Sequence, residues 1–234
     1  MKIGILQTDS ILDKFKPQFG DYPQMFSQLL ARARSGLYCA TFDVTNNHYP
    51  SHPDECEAYI ITGSKASVYE DLAWIRKLEA YVRQLYQADK KLIAVCFGHQ
   101  LVAQAFGGKT EKSNKGWGVG VHSIPILKRK AWMLPPLKRY NVVVSHQDQV
   151  TRLPDGAELL AGNDFCPNAM FQLGSILTIQ GHPEFSKEYG NASMQNRKKK
   201  IEQHHFEAAM QSWEKHLDDA DLAAWWLKFI ETKK

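Results

Sequence analysis

Cys96 stands where an apolar run breaks into a helix. Leu92, Ile93, Ala94 and Val95 have strand composition, Phe97 and Gly98 turn the chain, and a helical pattern runs from His99 to a Gly107-Gly108 stop. A thiol on such a strand-to-helix turn is presented for nucleophilic attack, and the unpaired N–H groups of the following helix favour its thiolate form. Small Ala94 and Gly98 on either side let neighbouring backbone come close. The competing reading is an inert cysteine that closes a core strand, because free cysteine is among the most buried residue types. A base within reach would separate the two.

Downstream, a second β-rich run (Ile176, Leu177, Thr178, Ile179) ends in Gln180-Gly181 and presents His182, Pro183 and Glu184. An imidazole keeps a thiol ionised, and a carboxylate holds the imidazole in one tautomer and stabilises its charged form. On an extended strand end, residues two apart share a side, so Glu184 can reach His182. Taken alone, His-x-Glu equally suits a surface pair or two metal ligands. No metal or cofactor is expected, since the chain has neither Cys-x-x-Cys nor His-Glu-x-x-His, nor a Gly-rich phosphate loop.

Cys96-Phe97-Gly98-His99-Gln100 followed by Gly181-His182-Pro183-Glu184-Phe185 resembles the class I, triad-type glutamine amidotransferase domain. That family carries Cys-x-Gly-His-Gln and His-Pro-Glu motifs in this order on two strand ends. Three intermediate segments extend the resemblance over positions 1–186: Tyr59 to Tyr69, Lys109 to Ile126 with its Gly116-Trp117-Gly118-Val119-Gly120 stretch, and Val142 to Leu153. The resemblance implies a catalytic triad of Cys96, His182 and Glu184. It also implies an oxyanion hole from the N–H of Phe97 and that of Ser64 or Gly63, each donor worth about 3 to 4 kcal/mol in comparable enzymes. From the residues alone, Gly63-Ser64 reads equally as an ordinary turn. Gln100, Ser145, His146 and Gln147 are implied to hold the substrate amino acid, with Asp148 stabilising its loop. His146 competes as a base but lacks the adjoining Pro-Glu.

The implied activity is hydrolysis of the γ-glutamyl amide of glutamine, or of a γ-glutamyl compound, through a cysteine-linked thioester. Three roles remain open: the glutaminase subunit of a synthase, a stand-alone γ-glutamyl peptidase, and a non-catalytic regulatory subunit. The Thr62-Gly63-Ser64 turn and a long C-terminal helical tail resemble the small GMP-synthase-like group that includes γ-glutamyl peptidases. The plant peptidases of that group differ around Lys65 to Glu70. The 234 residues leave no room for a synthase domain, so the expected partners are the small-molecule substrate and a separate synthase subunit.

Positioning these residues requires a sheet. Strand-like runs at 2–6, 37–43, 58–62 and 91–96 alternate with helical patterns near 22–34 and 70–88. This predicts an α/β fold, an open, mostly parallel, flavodoxin-like sheet with helices on both faces. Ile75, Leu78, Val82 and Leu85 form one sheet-facing stripe. Trp74 and Tyr81 then read as packing. Residues 109–180 predict a small antiparallel excursion, after which the sheet resumes and places Cys96 and His182 at carboxyl ends of strands.

The expected organisation is a catalytic domain over 1–186 and a C-terminal helical extension over 187–234 packed on it. Leu222, Trp225, Trp226, Phe229 and Ile230 make the docking stripe. No apolar run approaches a membrane span, and the N-terminus enters a strand directly, so no membrane association and a cytoplasmic location are expected. Four scattered cysteines fit no disulfide framework and suit a reducing compartment. The net charge of +4 is modest, and Arg197 to Lys200 reads as a solvated helix face, with no nucleic acid expected.

Overall fold

The computed structural model describes residues 1–232; Lys233 and Lys234, the end of the expected extension, lie outside the described residues. The strands are β1 (Lys2–Gln7), β2 (Tyr38–Asp43), β3 (Ala58–Ile61), β4 (Lys91–Val95), β5 (Lys109–Lys112), β6 (Gly118–Pro125), β7 (Arg139–His146), β8 (Asp148–Arg152), β9 (Glu158–Ala161), β10 (Met170–Leu173) and β11 (Ile176–Ile179). The helices are α1 (Lys16–Phe19), α2 (Tyr22–Ala33), α3 (Ala73–Gln87), α4 (Phe97–Ala105), α5 (Lys187–Asn196), α6 (Gln203–Ser212) and α7 (Asp219–Glu231).

The main sheet has the order β2-β1-β3-β4-β11-β10-β9. Strands β2, β1, β3, β4 and β11 run parallel, and β10 and β9 continue the edge antiparallel. This is the open, mostly parallel sheet that the sequence pattern predicts. The excursion forms two antiparallel ribbons, β5 with β8 and β6 with β7.

Alternation along the strands divides the core between two faces. Ile3, Ile5, Ile60, Ile93 and Val95 point to a layer with Phe26, Leu29, Leu30, Trp226 and Phe229 of α2 and α7. Leu6, Tyr59, Ile61, Leu92 and Ala94 point the other way, to Ile75, Leu78, Val82 and Leu85 of α3 and Leu101 and Val102 of α4. Helix α2 starts with Asp21, whose carboxylate accepts the Tyr22 N–H at 2.8 Å while Gln24 accepts the Asp21 N–H at 3.1 Å. That reciprocal cap satisfies donors the helix itself cannot. Helix α3 starts at Ala73 rather than near 70, because Glu70 and Leu72 are tied into a turn, the Leu72 N–H to Glu70 O.

Helix α7 lies beside α2, with the Phe26 and Trp226 rings stacked at 6.3 Å between centroids. Trp225 and Trp226 are each 1% exposed. Trp226→Ala should therefore lower unfolding free energy by about 3 to 5 kcal/mol, read from urea unfolding midpoints at unchanged m.

Candidate active site

The sheet register sets the site. Ala94 pairs with Thr178 and Val95 with Ile179, so β4 and β11 end side by side. One residue later the Cys96 N–H still donates to the Ile179 carbonyl at 2.9 Å, and the Cys96 carbonyl accepts the first helical bond from the Gln100 N–H at 3.1 Å. Between these two bonds Cys96 adopts φ 50° and ψ −100°. A non-glycine residue held there costs of order 1–3 kcal/mol, a strain that turns the side chain out of the strand and over the start of α4. Gly98 is dictated by contact: a Cβ there would stand 2.8 Å from Ile61 Cβ.

His182 is fixed from the other side. Its N–H donates to Val143 O at 2.8 Å, so β7 of the excursion clamps the segment that follows β11. The Glu184 carboxylate lies 2.7 Å from His182 Nδ1. The sequence pattern predicts this reach along an extended strand end; the chain instead makes a turn, closed by the Phe185 N–H on His182 O at 3.2 Å. The turn also brings the Phe185 ring flat against the imidazole, 4.0 Å between centroids and 4° between planes. Tyr22 and Tyr189 pack around Phe185.

Both polar partners are sealed, with the His182 side chain 3% and the Glu184 side chain 0% exposed. Burial pushes the imidazole toward neutrality, but the Glu184 charge and then Cys96 outweigh it and raise His182 to about 10. The ring is thereby kept as a proton donor. Gly63 closes the third side: a Cβ built on it would meet His182 Cε1 at 2.9 Å and Cys96 Cβ at 3.7 Å. Only a glycine lets the β3 turn come this near both side chains.

Thr8, which the sequence reading passes over, orients that turn. Its hydroxyl donates to Gly63 O at 2.9 Å, and Thr62 Oγ1 lies 3.1 Å from the same carbonyl. In a trans peptide this holds the Ser64 N–H pointing the opposite way. Phe97 begins α4, where N–H groups have no intrahelical acceptor, and its ring packs at a tilt against Trp74, 5.4 Å between centroids. The position of Thr8, polar and just past a strand's carboxyl end, was the available signal.

The residues implied to hold substrate lie on the same side of the fold but are differently engaged. Gln100 is 4% exposed, and its amide donates to Asp148 O at 2.9 Å and Gln180 Oε1 at 3.1 Å. The Asp148 carboxylate accepts from Ser67 at 2.5 Å and Tyr69 at 3.1 Å, tying the excursion to the loop after β3. His146 is buried with Nδ1 3.1 Å from Asp148 O. Burial, with no carboxylate to oppose it, drives its pKa down to about 3. Gln147 receives the Ser113 N–H on its carbonyl at 3.0 Å. Ser145 accepts from Arg197 at 2.8 Å. Lys198, Lys199 and Lys200 are exposed, but Arg197 turns inward, donating also to Ser193 and lying over the Trp117 ring at 5.5 Å. The solvated face expected for this run thus holds for the lysines alone. Among the described residues no three His, Cys, Asp or Glu side chains are grouped as metal ligands.

A family described as glutamine amidotransferase class-I matches residues 20–211. A glutamine amidotransferase-like protein of Schizosaccharomyces pombe is 35% identical, covering 81% of each chain. Gamma-glutamyl peptidase 4 of Arabidopsis thaliana is 32% identical over 74% of this chain and 71% of its own. In three dimensions, a glutamine amidotransferase from Thermotoga maritima superposes with a TM-score of 0.80 over 99% of both chains at 14% identity, a likeness of fold.

The raised His182 has a stability consequence. Stabilisation from its protonated pairing with Glu184 is complete below the ordinary value of 6.5 and fades as pH rises through about 10. Glu184→Gln should therefore be less stable than the native protein by about 2 to 3 kcal/mol near pH 6, and the two should converge above pH 10 in calorimetric melting.

Proposed function

Since the chain belongs to the class-I glutamine amidotransferase family, we propose that it hydrolyses the γ-glutamyl amide of glutamine or of a γ-glutamyl compound through a thioester on Cys96. The observation that carries this reading is the convergence of Cys96 and His182 on Gly63, with Glu184 2.7 Å from the imidazole.

The Cys96 thiolate attacks the γ-carboxamide carbon, and the N–H groups of Phe97 and Ser64 receive the developing oxyanion. Protonated His182 gives its proton to the leaving nitrogen, the C–N bond breaks, and the amine departs. The now neutral imidazole takes a proton from water, whose oxygen attacks the thioester carbonyl and releases glutamate. Glu184 keeps the Nδ1 side of the ring occupied, so transfer proceeds through Nε2. His146, held neutral, does not serve as the acid; with Ser145, Gln147 and the backbone that Gln100 anchors, it forms the substrate's amino-acid pocket.

The likeness to a γ-glutamyl peptidase over most of both chains favours a stand-alone hydrolase over a synthase subunit. Purified protein is assayed on glutamine, γ-glutamyl dipeptides and glutathione. Turnover without added protein is the expected result; silence that a synthase partner relieves would move the chain to the subunit role. Cys96→Ala should abolish turnover and thioester trapping with melting behaviour retained, and hydrolysis surviving in that variant ends the proposal. Thr8→Val, which frees the Gly63 carbonyl, should lower kcat about tenfold or more with little change in KM.

A further inference from the structure

A cleft of about 590 Å³ opens beside the catalytic residues at the carboxyl ends of β1, β2 and β3. Neither Cys96 nor His182 lines it, and the hydrolytic steps above leave it unused. The order β2-β1-β3 reverses direction between β1 and β3, and open α/β sheets bind ligands in the crevice outside such a reversal.

The cleft is continuous with the chemistry through two of its walls. Ser64 lines it, and a Cβ on the adjoining Gly63 would touch both His182 and Cys96. Trp74 lines it too, packed in a tilted ring contact against Phe97, the residue after the nucleophile. A group bonded to the carbonyl that Cys96 attacks, and protonated by His182, has this open cleft next to it at Ser64.

Its charge is one-sided. Asp9, Asp43 and Glu70 line it against a single cation, Lys65, whose ammonium is already paired with Asp9 at 2.8 Å. The remaining polar lining is neutral, and Leu72 and Trp74 supply an apolar side. A negative concave surface attracts ammonium groups and repels carboxylates, and its low-dielectric walls strengthen both effects.

We infer that this cleft receives the leaving half of a γ-glutamyl substrate and selects amines bearing a second, positively charged group, such as diamines, over amines bearing a carboxylate. The inference rests on the hydrolytic reading: the γ-carbonyl C–N bond breaks, the acyl group passes to sulfur, and the amine leaves with the His182 proton.

The test compares kcat/KM for three substrates that share the γ-glutamyl half: the monoamides of 1,4-diaminobutane (cationic), butylamine (neutral) and 4-aminobutyrate (anionic). The expected order is cationic, neutral, anionic, with about tenfold or more between the extremes at low salt and a smaller ratio at high salt. Asp43→Asn combined with Glu70→Gln removes both charges while the amide oxygens still accept the Thr45, Asn46 and Ser67 backbone N–H groups, only the Asn46 side-chain bond to the second Asp43 oxygen being lost, and should bring the cation-to-anion ratio close to one. An equal or reversed preference, or a ratio that the double variant leaves unchanged, overturns the inference. If no γ-glutamyl amide is turned over, the hydrolytic reading falls separately. Calorimetric titration of 1,4-diaminobutane into Cys96→Ala protein then decides the cleft: saturable binding lost in the double variant supports it, and absence of binding overturns it.

Discussion

The parallel pairing of β4 with β11 is the constraint on which the site depends. These strands are far apart in the chain, yet the Ala94–Thr178 and Val95–Ile179 register brings their carboxyl ends level. The Cys96 N–H bond to Ile179 extends that register by one residue, and the unfavourable φ of Cys96 is held between it and the first turn of α4. A slip of one residue in either strand would turn the sulfur to the other face, since side chains alternate with period two. The two-layered core resists the slip, because Ile93 and Val95 face one helix layer while Leu92 and Ala94 face the other.

Electrostatics then distinguishes two histidines that burial alone would treat alike. His146 and His182 are both enclosed, and desolvation opposes the charge of each. His182 has Glu184 at 2.7 Å and the cysteine across Gly63, so its charged form is retained. His146 has a backbone carbonyl as its neighbour and stays neutral. The difference of partner leaves one imidazole charged and the other neutral.

The excursion and the C-terminal helices act on the site from outside the parallel sheet. Strand β7 clamps the His182 backbone through Val143, and Asp148 fastens the loop that follows the Gly63-Ser64 turn. Arg197, just past α5, brings a cation to Ser145 from a segment whose composition reads as solvent-facing. Thr8, at the end of β1, holds the Gly63 carbonyl. Strand β7, Asp148 and Thr8 thereby hold the Gly63 turn and the His182 imidazole in place from three separate parts of the chain.

By itself, the amino-acid order determined the alternation of strands and helices, the parallel sheet, the elbow at Cys96 and the His-x-Glu pair, because each rests on local periodicity or spacing of a few residues. The strand limits fell within one or two residues of those observed, where hydrogen bonding rather than composition sets the end. Contacts between distant segments were not legible. The Thr8 hold on Gly63, the inward Arg197 and the cleft at the β1–β3 reversal all depend on strand order and packing. Only the tertiary structure decided them, because a side chain's charge and hydrogen bonds depend on which neighbours exclude water from it, and those neighbours lie far away in the chain.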